Sequence, residues 1–287
     1  GGACTQAPPA AVEAPQGLER PEPACGPWQR AALPPGPPTL RASMSPTPAP
    51  ARFDDEPSRK RGRRISRMFD RIAPTYDVLN HLLSANTDVR WRKQAARQLG
   101  LDGSERLLDL CCGTGDLATA MKDGGAGEVV GTDFAPEMIR IAQEKDGERI
   151  EFQIADTTDL PFPDASFDVA TVGFGVRNLE DLDGGFREAC RVLKPGGRFL
   201  ILEFSRPPNA IFRGVYHAYF MIVLPMIGNL VSGGGGDNAY TYLPRSVMAF
   251  PGPEALAERL KDAGFGTVDI TSLTGGIACI HVATKPA

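Results

Sequence analysis

Residues 106–121 constrain the fold more than any other stretch. Arg106-Leu107-Leu108-Asp109-Leu110 is a short, leucine-rich run of the kind that forms a strand buried on both faces. It passes directly into Cys111-Cys112-Gly113-Thr114-Gly115-Asp116. From Leu117 to Met121 the apolar residues then return at helical spacing. A strand, a glycine turn and a helix in so few residues leave the first helical amides free, facing whatever the glycines let approach. Downstream the alternation repeats. Glu128 to Thr132 reads as a strand ending in Asp133, and Pro136, a favoured first helical residue, opens a helix to about Lys145. Strands are expected at Ile150–Ile154, Phe167–Val172 and Arg198–Leu202. A helix is expected over Leu182–Val192, with a turn at Pro195-Gly196-Gly197 before the last of these strands. Strands alternating with helices specify a mostly parallel sheet with helices on both faces, an α/β class.

Ahead of this core the periodicity changes. Met68, Phe69 and Ile72 share one helical face, Pro74 breaks that helix, and Tyr76 to Leu83 starts another. Asp88 is placed to cap a third helix ending near Leu99, with Gly100 just after it. These segments form an N-terminal helical lid over residues 65–100. Residues 1–50 hold 13 of the 26 prolines and no apolar period. Residues 1–57 are therefore expected to stay disordered, because they bury too little surface to offset their ordering entropy. Glu13, Glu19 and Glu22 argue against a transit peptide, and no apolar core of a secretory signal is present. Met44 is an alternative start, with residues 1–43 upstream of it. The run Arg59-Lys60-Arg61-Gly62-Arg63-Arg64 reads as a solvated basic arm or as a contact for anionic lipid head groups.

A formal net charge of -4 supplies no basic field, so no nucleic-acid partner is expected. The six cysteines, Cys4, Cys25, Cys111, Cys112, Cys190 and Cys279, fit neither a disulfide framework nor a zinc spacing. They read as thiols of a reducing compartment. No metal-ligand cluster is apparent in the spacing.

By itself Gly113-Thr114-Gly115 is a weak signal, as often a structural turn as a binding loop. Its context sharpens it. Asp109 lies inside the first strand ahead of the turn, a feature of methyltransferases. Asp133 ends the second strand at a distance suited to a carboxylate accepting from both ribose hydroxyls of a nucleoside. Asp156 follows the third strand, where an adenine would lie. Three acids at successive strand ends favour an S-adenosylmethionine site over a nicotinamide one, in a Rossmann-like class I methyltransferase fold.

Longer motifs narrow the reading. Tyr76-Asp77-Val78-Leu79-Asn80-His81-Leu82-Leu83-Ser84 with Trp91 resembles one signature of the ubiquinone/menaquinone biosynthesis C-methyltransferases. The run Arg191-Val192-Leu193-Lys194-Pro195-Gly196-Gly197-Arg198 through Phe204-Ser205 resembles a second. Phe174-Gly175-Val176-Arg177-Asn178, Tyr240-Thr241-Tyr242-Leu243 and Leu273-Thr274-Gly275-Gly276-Ile277 are similar to further stretches of that family. The resemblance spans about Ile65 to Lys285, and so a single domain over residues 58–287. Two positions depart from it: Leu79 replaces a usual Met, a volume-conserving change, and Asp88 stands where a His is frequent. A role for a His at that position does not carry over.

The resemblance implies transfer of a methyl group from S-adenosylmethionine to a ring carbon of a polyprenylated quinol, such as demethylmenaquinol, without a metal. Carried over position by position, the donor-binding set is Asp109, Gly113, Thr114, Gly115, Asp133, Asp156, Thr157 and Gly173. The candidates beside the acceptor are Arg177, Asn178, Tyr76 and Asp77. Arg177 reads either as a cation for a quinolate oxygen or as a salt-bridge partner of Glu180 or Asp181. His281 reads as a core residue of an apolar final strand. His81, beside Tyr76 and Asp77, is a secondary proton-handling candidate.

Ile211 to Val231 is long and apolar enough to suggest a membrane span, but Arg213, His217, Pro225 and Asn229 argue against one. The better reading is an apolar insertion, residues 206–250, that covers the donor and lines a channel for the tail. The expected place is the cytoplasm, in peripheral contact with the inner face of the membrane. Nothing in the sequence decides between a monomer and a homodimer, or between a naphthoquinol and a benzoquinol. The competing readings are a methyltransferase acting on a sterol or phospholipid head group, a nucleotide-binding module without catalysis, and a nicotinamide oxidoreductase.

Overall fold

A computed structural model describes residues 68–70, 72–73, 77–78, 80–82, 84–223, 226 and 239–287. The expectations for residues 1–57, for the basic run and for Tyr76 lie outside the described residues. The elements run α1 Thr87–Leu99, β1 Arg106–Leu110, α2 Asp116–Asp123, β2 Glu128–Asp133, α3 Pro136–Asp146, β3 Glu151–Ile154 and β4 Phe167–Gly173. After a 3-10 turn at Val176–Asn178 come α4 Leu182–Val192, β5 Leu193–Phe204, α5 Ala210–Ala218 and a π-helical turn Tyr219–Val223. The chain closes with α6 Ala239–Ala249, α7 Pro253–Asp262, β6 Thr267–Leu273, a 3-10 turn Thr274–Gly276 and β7 Ala278–Thr284.

The seven strands form one sheet in the order β3-β2-β1-β4-β5-β7-β6. The first five are parallel, and β7 runs antiparallel to both β5 and β6. This is the Rossmann-like class I arrangement. The period-2 alternation of the central strands divides the core between two faces. Leu107, Val129, Val169 and Leu200 pack with Ala95 and Leu99 of α1, Met121 of α2 and Ala142 of α3. Leu108, Val130, Ala170 and Ile201 pack with Phe186 and Ala189 of α4 and Leu256 and Leu260 of α7. Each such fully buried leucine or phenylalanine contributes about 1.5–3 kcal/mol relative to exposure.

The sequence missed some details. Asp88 does not cap α1. Asn86 occupies the N-cap in a left-handed conformation without a side-chain cap bond, and Asp88 lies in the first helical turn. Gly100 does close that helix, at φ 57. The expected turn at Pro195-Gly196-Gly197 is a bulge inside one long strand: Phe167 pairs with Leu193 and Val169 with Arg198. Strands β6 and β7 pair with each other, and the Thr267-Val268-Asp269-Ile270-Thr271 alternation of β6 is a strand signal that the sequence reading passed over. His281 is a core residue of β7, 2% exposed, with Nε2 3.0 Å from the Pro253 carbonyl. The four described cysteines are free thiols. Among the described residues no helix is long and apolar enough to cross a membrane.

Candidate functional site

The carboxyl ends of β1, β2 and β4 place the glycine turn, Asp133 and the stretch after Gly173 along one edge of the sheet, where ligands of parallel sheets lie. Gly113 and Gly115 have φ of 56 and 85, a left-handed region open to glycine at little cost. A Cβ at Gly115 would also stand 2.9 Å from the Phe152 ring. The turn is tied to β2, because the Gly113 amide donates to Asp133 Oδ2 at 2.9 Å and the Ala135 amide donates to Oδ1 at 2.9 Å. Asp109 is fully buried. Its Oδ1 accepts the Thr171 hydroxyl at 2.6 Å, whereas Oδ2 has no partner. Burial pushes Asp109 up to about 7 and Asp133 up to about 6, despite the hydrogen bonds each accepts.

A cavity of about 300 Å³ opens here. Asp109, Thr114, Gly173 and Arg177 line it, and so do Trp91, Phe204, Tyr216 and Leu243. A smaller neighbour of about 50 Å³ is bounded by Asp133, Phe134, Leu179 and Asn178. Phe69, Cys111, Gly173 and Phe174 line both. The structure thus brings Asp109, Thr114, Asp133, Gly173, Arg177 and Asn178 to adjoining spaces. Thr157 is buried beside Cys111, with Oγ1 3.4 Å from the thiol. Asp156 stands apart: it lies beyond the end of β3, is exposed, and accepts the Thr158 amide and hydroxyl at 2.9 and 2.8 Å.

Asp77 faces the glycine turn. It accepts the Thr114 hydroxyl at 2.5 Å and pairs with Lys145 at 2.8 Å. Arg177 pairs with neither Glu180 nor Asp181. Its Nη1 lies 2.9 Å from Oε1 of Glu203, which is 2% exposed at the end of β5, and its Nε has no partner. Burial raises the Glu203 carboxyl, and Arg177 offsets this only partly. Asn178 accepts the Tyr242 hydroxyl at 3.1 Å, linking the turn after β4 to α6.

Sequence spacing also missed a charge cluster under the start of α2. His81 Nδ1 is 2.8 Å from Asp88 Oδ2, and ligand atoms of His81, Asp88 and Asp116 lie within 4.8 Å of one another. That corrects the expectation that no such cluster exists. Cations of the chain already occupy it, since Arg92 bonds Asp88 at 2.5 Å and Asp116 at 3.2 Å, and Lys145 also pairs with Asp116. Burial alone would raise Asp88, but bonds from Ser84 and Arg92 outweigh it and hold the carboxyl below its usual range.

Three non-glycine residues on the cavity wall adopt left-handed backbone: Cys111 at φ 49, Phe174 at φ 58 and Thr274 at φ 46. Each costs on the order of 1–3 kcal/mol, a strain that persists where neighbours over-determine the conformation. Thr274 accepts the Trp91 indole N–H at 2.9 Å. The glycines after it have a packing reason: a Cβ on Gly275 would meet the Phe212 ring of α5 at 2.9 Å, and one on Gly276 would meet Pro208 at 2.7 Å. Sequence reading had singled out Trp91, Phe174 and Thr274 only as parts of motifs, and Arg92 not at all.

Comparison with known proteins gives the fold and the family. Among solved structures, the [4+2]-cyclase SpnF superposes with a TM-score of 0.58 at 21% identity, over 78% of this chain and 95% of that one. A possible histamine N-methyltransferase from Thermotoga maritima does so with a TM-score of 0.56 at 19% identity, over 77% and 99%. At such identities these show the fold. A demethylmenaquinone methyltransferase of Thermus thermophilus is 49% identical over 76% of this chain and 100% of its own length. A ubiquinone/menaquinone biosynthesis C-methyltransferase UbiE of Citrifermentans bemidjiense is 45% identical over 79% of this chain and 98% of its own. The ubiE/COQ5 methyltransferase family model matches residues 58–285, and with relatives at that identity matched along nearly their whole length, the chain belongs to this family.

Proposed function

We propose that this chain transfers a methyl group from S-adenosylmethionine to a ring carbon of a polyprenylated quinol, with demethylmenaquinol as the first candidate. One observation carries the reading: Asp109 of β1 and Thr114 of the glycine turn line the same cavity as Arg177, Trp91 and Phe204. A donor site and an apolar, aromatic acceptor site thereby share one space.

The residues present fit the donor. Asp133 accepts from vicinal ribose hydroxyls, and the unpartnered Oδ2 of Asp109 is a buried acceptor for an ammonium group. Gly113 and Gly115 let the backbone approach, and Thr114 and Gly173 border the methionine end; Asp156 and Thr157 line neither cavity and take no part in holding the donor in this reading. Asp77 holds the Thr114 hydroxyl, so it acts on the donor side. When bound, S-adenosylmethionine supplies an electrophilic methyl group whose carrier leaves as a neutral thioether. A ring carbon is a weak nucleophile, strengthened when the neighbouring hydroxyl gives up its proton. Arg177, fixed by Glu203, stabilises the resulting oxyanion, and Asn178, held by Tyr242, orients the ring. The carbon–carbon bond forms with the ring's electron pair as the sulfonium carbon–sulfur bond breaks; the hydroxyl proton has gone to solvent, and the proton on the methylated ring carbon then passes by way of water to the ring oxygen, restoring the aromatic quinol.

The tail leaves the cavity past α5 and the following turn. Ile211, Val215 and Ile222 are exposed there, a surface suited to peripheral contact with the membrane that holds the substrate. The lid over residues 65–100 and the insertion over 206–250 belong to one catalytic domain in this reading. The test is to incubate the full chain with S-adenosylmethionine and, separately, reduced demethylmenaquinone, a sterol and a phospholipid. Methylation of the quinol alone is expected. Methylation of a head group or sterol instead overturns the assignment.

A further inference from the structure

The cavity has one wall made of rings. Trp91 from α1, Phe174 after β4 and Phe204 at the end of β5 meet with centroid separations of 6.0, 4.6 and 6.3 Å. The tilted and edge-on geometries are those that aromatic pairs favour. Phe174 and Phe204 are half-buried, and all three line the cavity. The chain invests in holding them. Phe174 adopts a left-handed backbone conformation that an aromatic residue disfavours. It is clamped between Gly173 and Gly175, where a Cβ would meet Leu117 at 3.0 Å and Cys111 at 2.5 Å. Trp91 is fixed by its bond to Thr274, itself left-handed. A guanidinium caps each end: Arg92 lies 6.0 Å from the Phe174 ring centre and Arg177 lies 5.5 Å from that of Phe204.

A hydrophobic filler needs none of these restraints. We infer that Trp91, Phe174 and Phe204 are the acceptor-binding wall, on which a flat bicyclic aromatic ring lies, with Phe174 the residue that decides ring acceptance. The inference deepens the quinol reading and rests on it for the identity of the ring. Asp133 borders the smaller neighbouring space, and Phe174 lines both that space and this cavity. A ring on this wall lies beside Arg177, whose guanidinium is in contact with Phe204.

Two measurements test it on the full chain. The first uses 1,4-dihydroxynaphthalene in oxygen-free buffer with S-adenosylhomocysteine present, so that no turnover occurs. Binding should shift the Trp91 indole N–H resonance, identified by comparison with Trp28→Phe. In calorimetry it should weaken about 3- to 10-fold in Phe174→Leu and in Phe204→Leu, the range of one lost aromatic contact. Phe174→Tyr keeps the ring and should bind like the wild type. The second compares the KM for demethylmenaquinol with the Kd for S-adenosylmethionine. The leucine variants should raise the former by a similar factor and leave the latter within twofold. Unchanged acceptor KM in folded leucine variants, or a donor Kd that weakens in its place, overturns the wall. If the naphthalenediol binds and moves Trp91 while demethylmenaquinol is never methylated, the wall stands and the quinol assignment fails.

Discussion

Arg177 and Glu203 form a buried pair across the ends of β4 and β5, with Nη1 and Oε1 2.9 Å apart and side chains 6% and 2% exposed. The pair holds the guanidinium on the cavity wall and makes it a charge with a fixed direction. If that charge meets an oxyanion, Arg177→Ala lowers kcat roughly 100-fold, the scale of one lost oxyanion donor, with donor affinity nearly intact. Stability also falls, by about 3–5 kcal/mol if Glu203 stays ionised without a partner and by less if it takes up a proton. Arg177→Lys recovers only part of the rate, because an ammonium does not reproduce the planar fork. Glu203→Gln keeps the shape but leaves the buried Arg177 charge without its counter-ion, so it should lower kcat and the melting temperature together. Turnover that falls only in step with the folded fraction makes the pair structural.

The buried carboxyls give a pH signature. Asp109 is raised to about 7 and Asp133 to about 6 from 3.8. A carboxyl raised in the fold favours the folded chain fully below its unfolded value and loses that contribution as the pH climbs through the folded value. The donor-free protein therefore loses stability from Asp109 between about pH 4 and pH 7. His281, pushed down by burial, gives the opposite slope near pH 6, so the comparison needed is with Asp109→Asn. That variant should gain melting temperature over the wild type at pH 8 and not below about pH 4. Donor affinity of the wild type, which requires the ionised acids, should rise over the same range. A flat difference in calorimetric melting contradicts the assignment.

Asp133 does two jobs. It is proposed to accept ribose hydroxyls, and it already ties Gly113 and Ala135 to β2. Asp133→Ala should cost about 2–4 kcal/mol of S-adenosylmethionine binding, measured by titration calorimetry, together with a lower melting temperature from the freed amides. An unchanged dissociation constant in the folded variant rejects Asp133 as the ribose acid.

The outer face of α5 offers a lipid-binding test. Ile211 is 83% and Val215 65% exposed, one turn apart on the same face. Changing both to serine should weaken sedimentation with phosphatidylglycerol-containing vesicles at least about tenfold, given the transfer energy of two such side chains. Turnover on a water-soluble short-tailed quinol should be preserved. Equal vesicle binding would show that this face is not the membrane contact.

Sequence carried the central sheet because its signals are local. A leucine-rich run, a glycine turn and Pro136 at a helix start each act within a few residues, and β1 to α4 lie where their patterns placed them. Relationships between distant segments were not legible. For an ion pair the sequence offers Arg177 only its neighbours Glu180 and Asp181, as the alternative to an oxyanion role; strand pairing brings Glu203, 26 residues away, to its side. Asp88 looked like a cap because capping is a local habit; its carboxylate is drawn instead to Arg92, Ser84 and His81. The ring wall escaped for the same reason. Trp91, Phe174 and Phe204 lie far apart in the chain, and the pairing of β4 with β5, the left-handed turn at Phe174 and the Trp91–Thr274 bond bring them together.

The most direct test of the central claim is the position of the transferred methyl group. S-adenosylmethionine labelled with carbon-13 in its methyl group is incubated with the full chain and reduced demethylmenaquinone, and the product is examined by NMR. The account predicts the label on a ring carbon, with both oxygens free to reoxidise to the quinone. Label found as a methyl ether on oxygen, or no label in the quinol while the donor is bound, would contradict it.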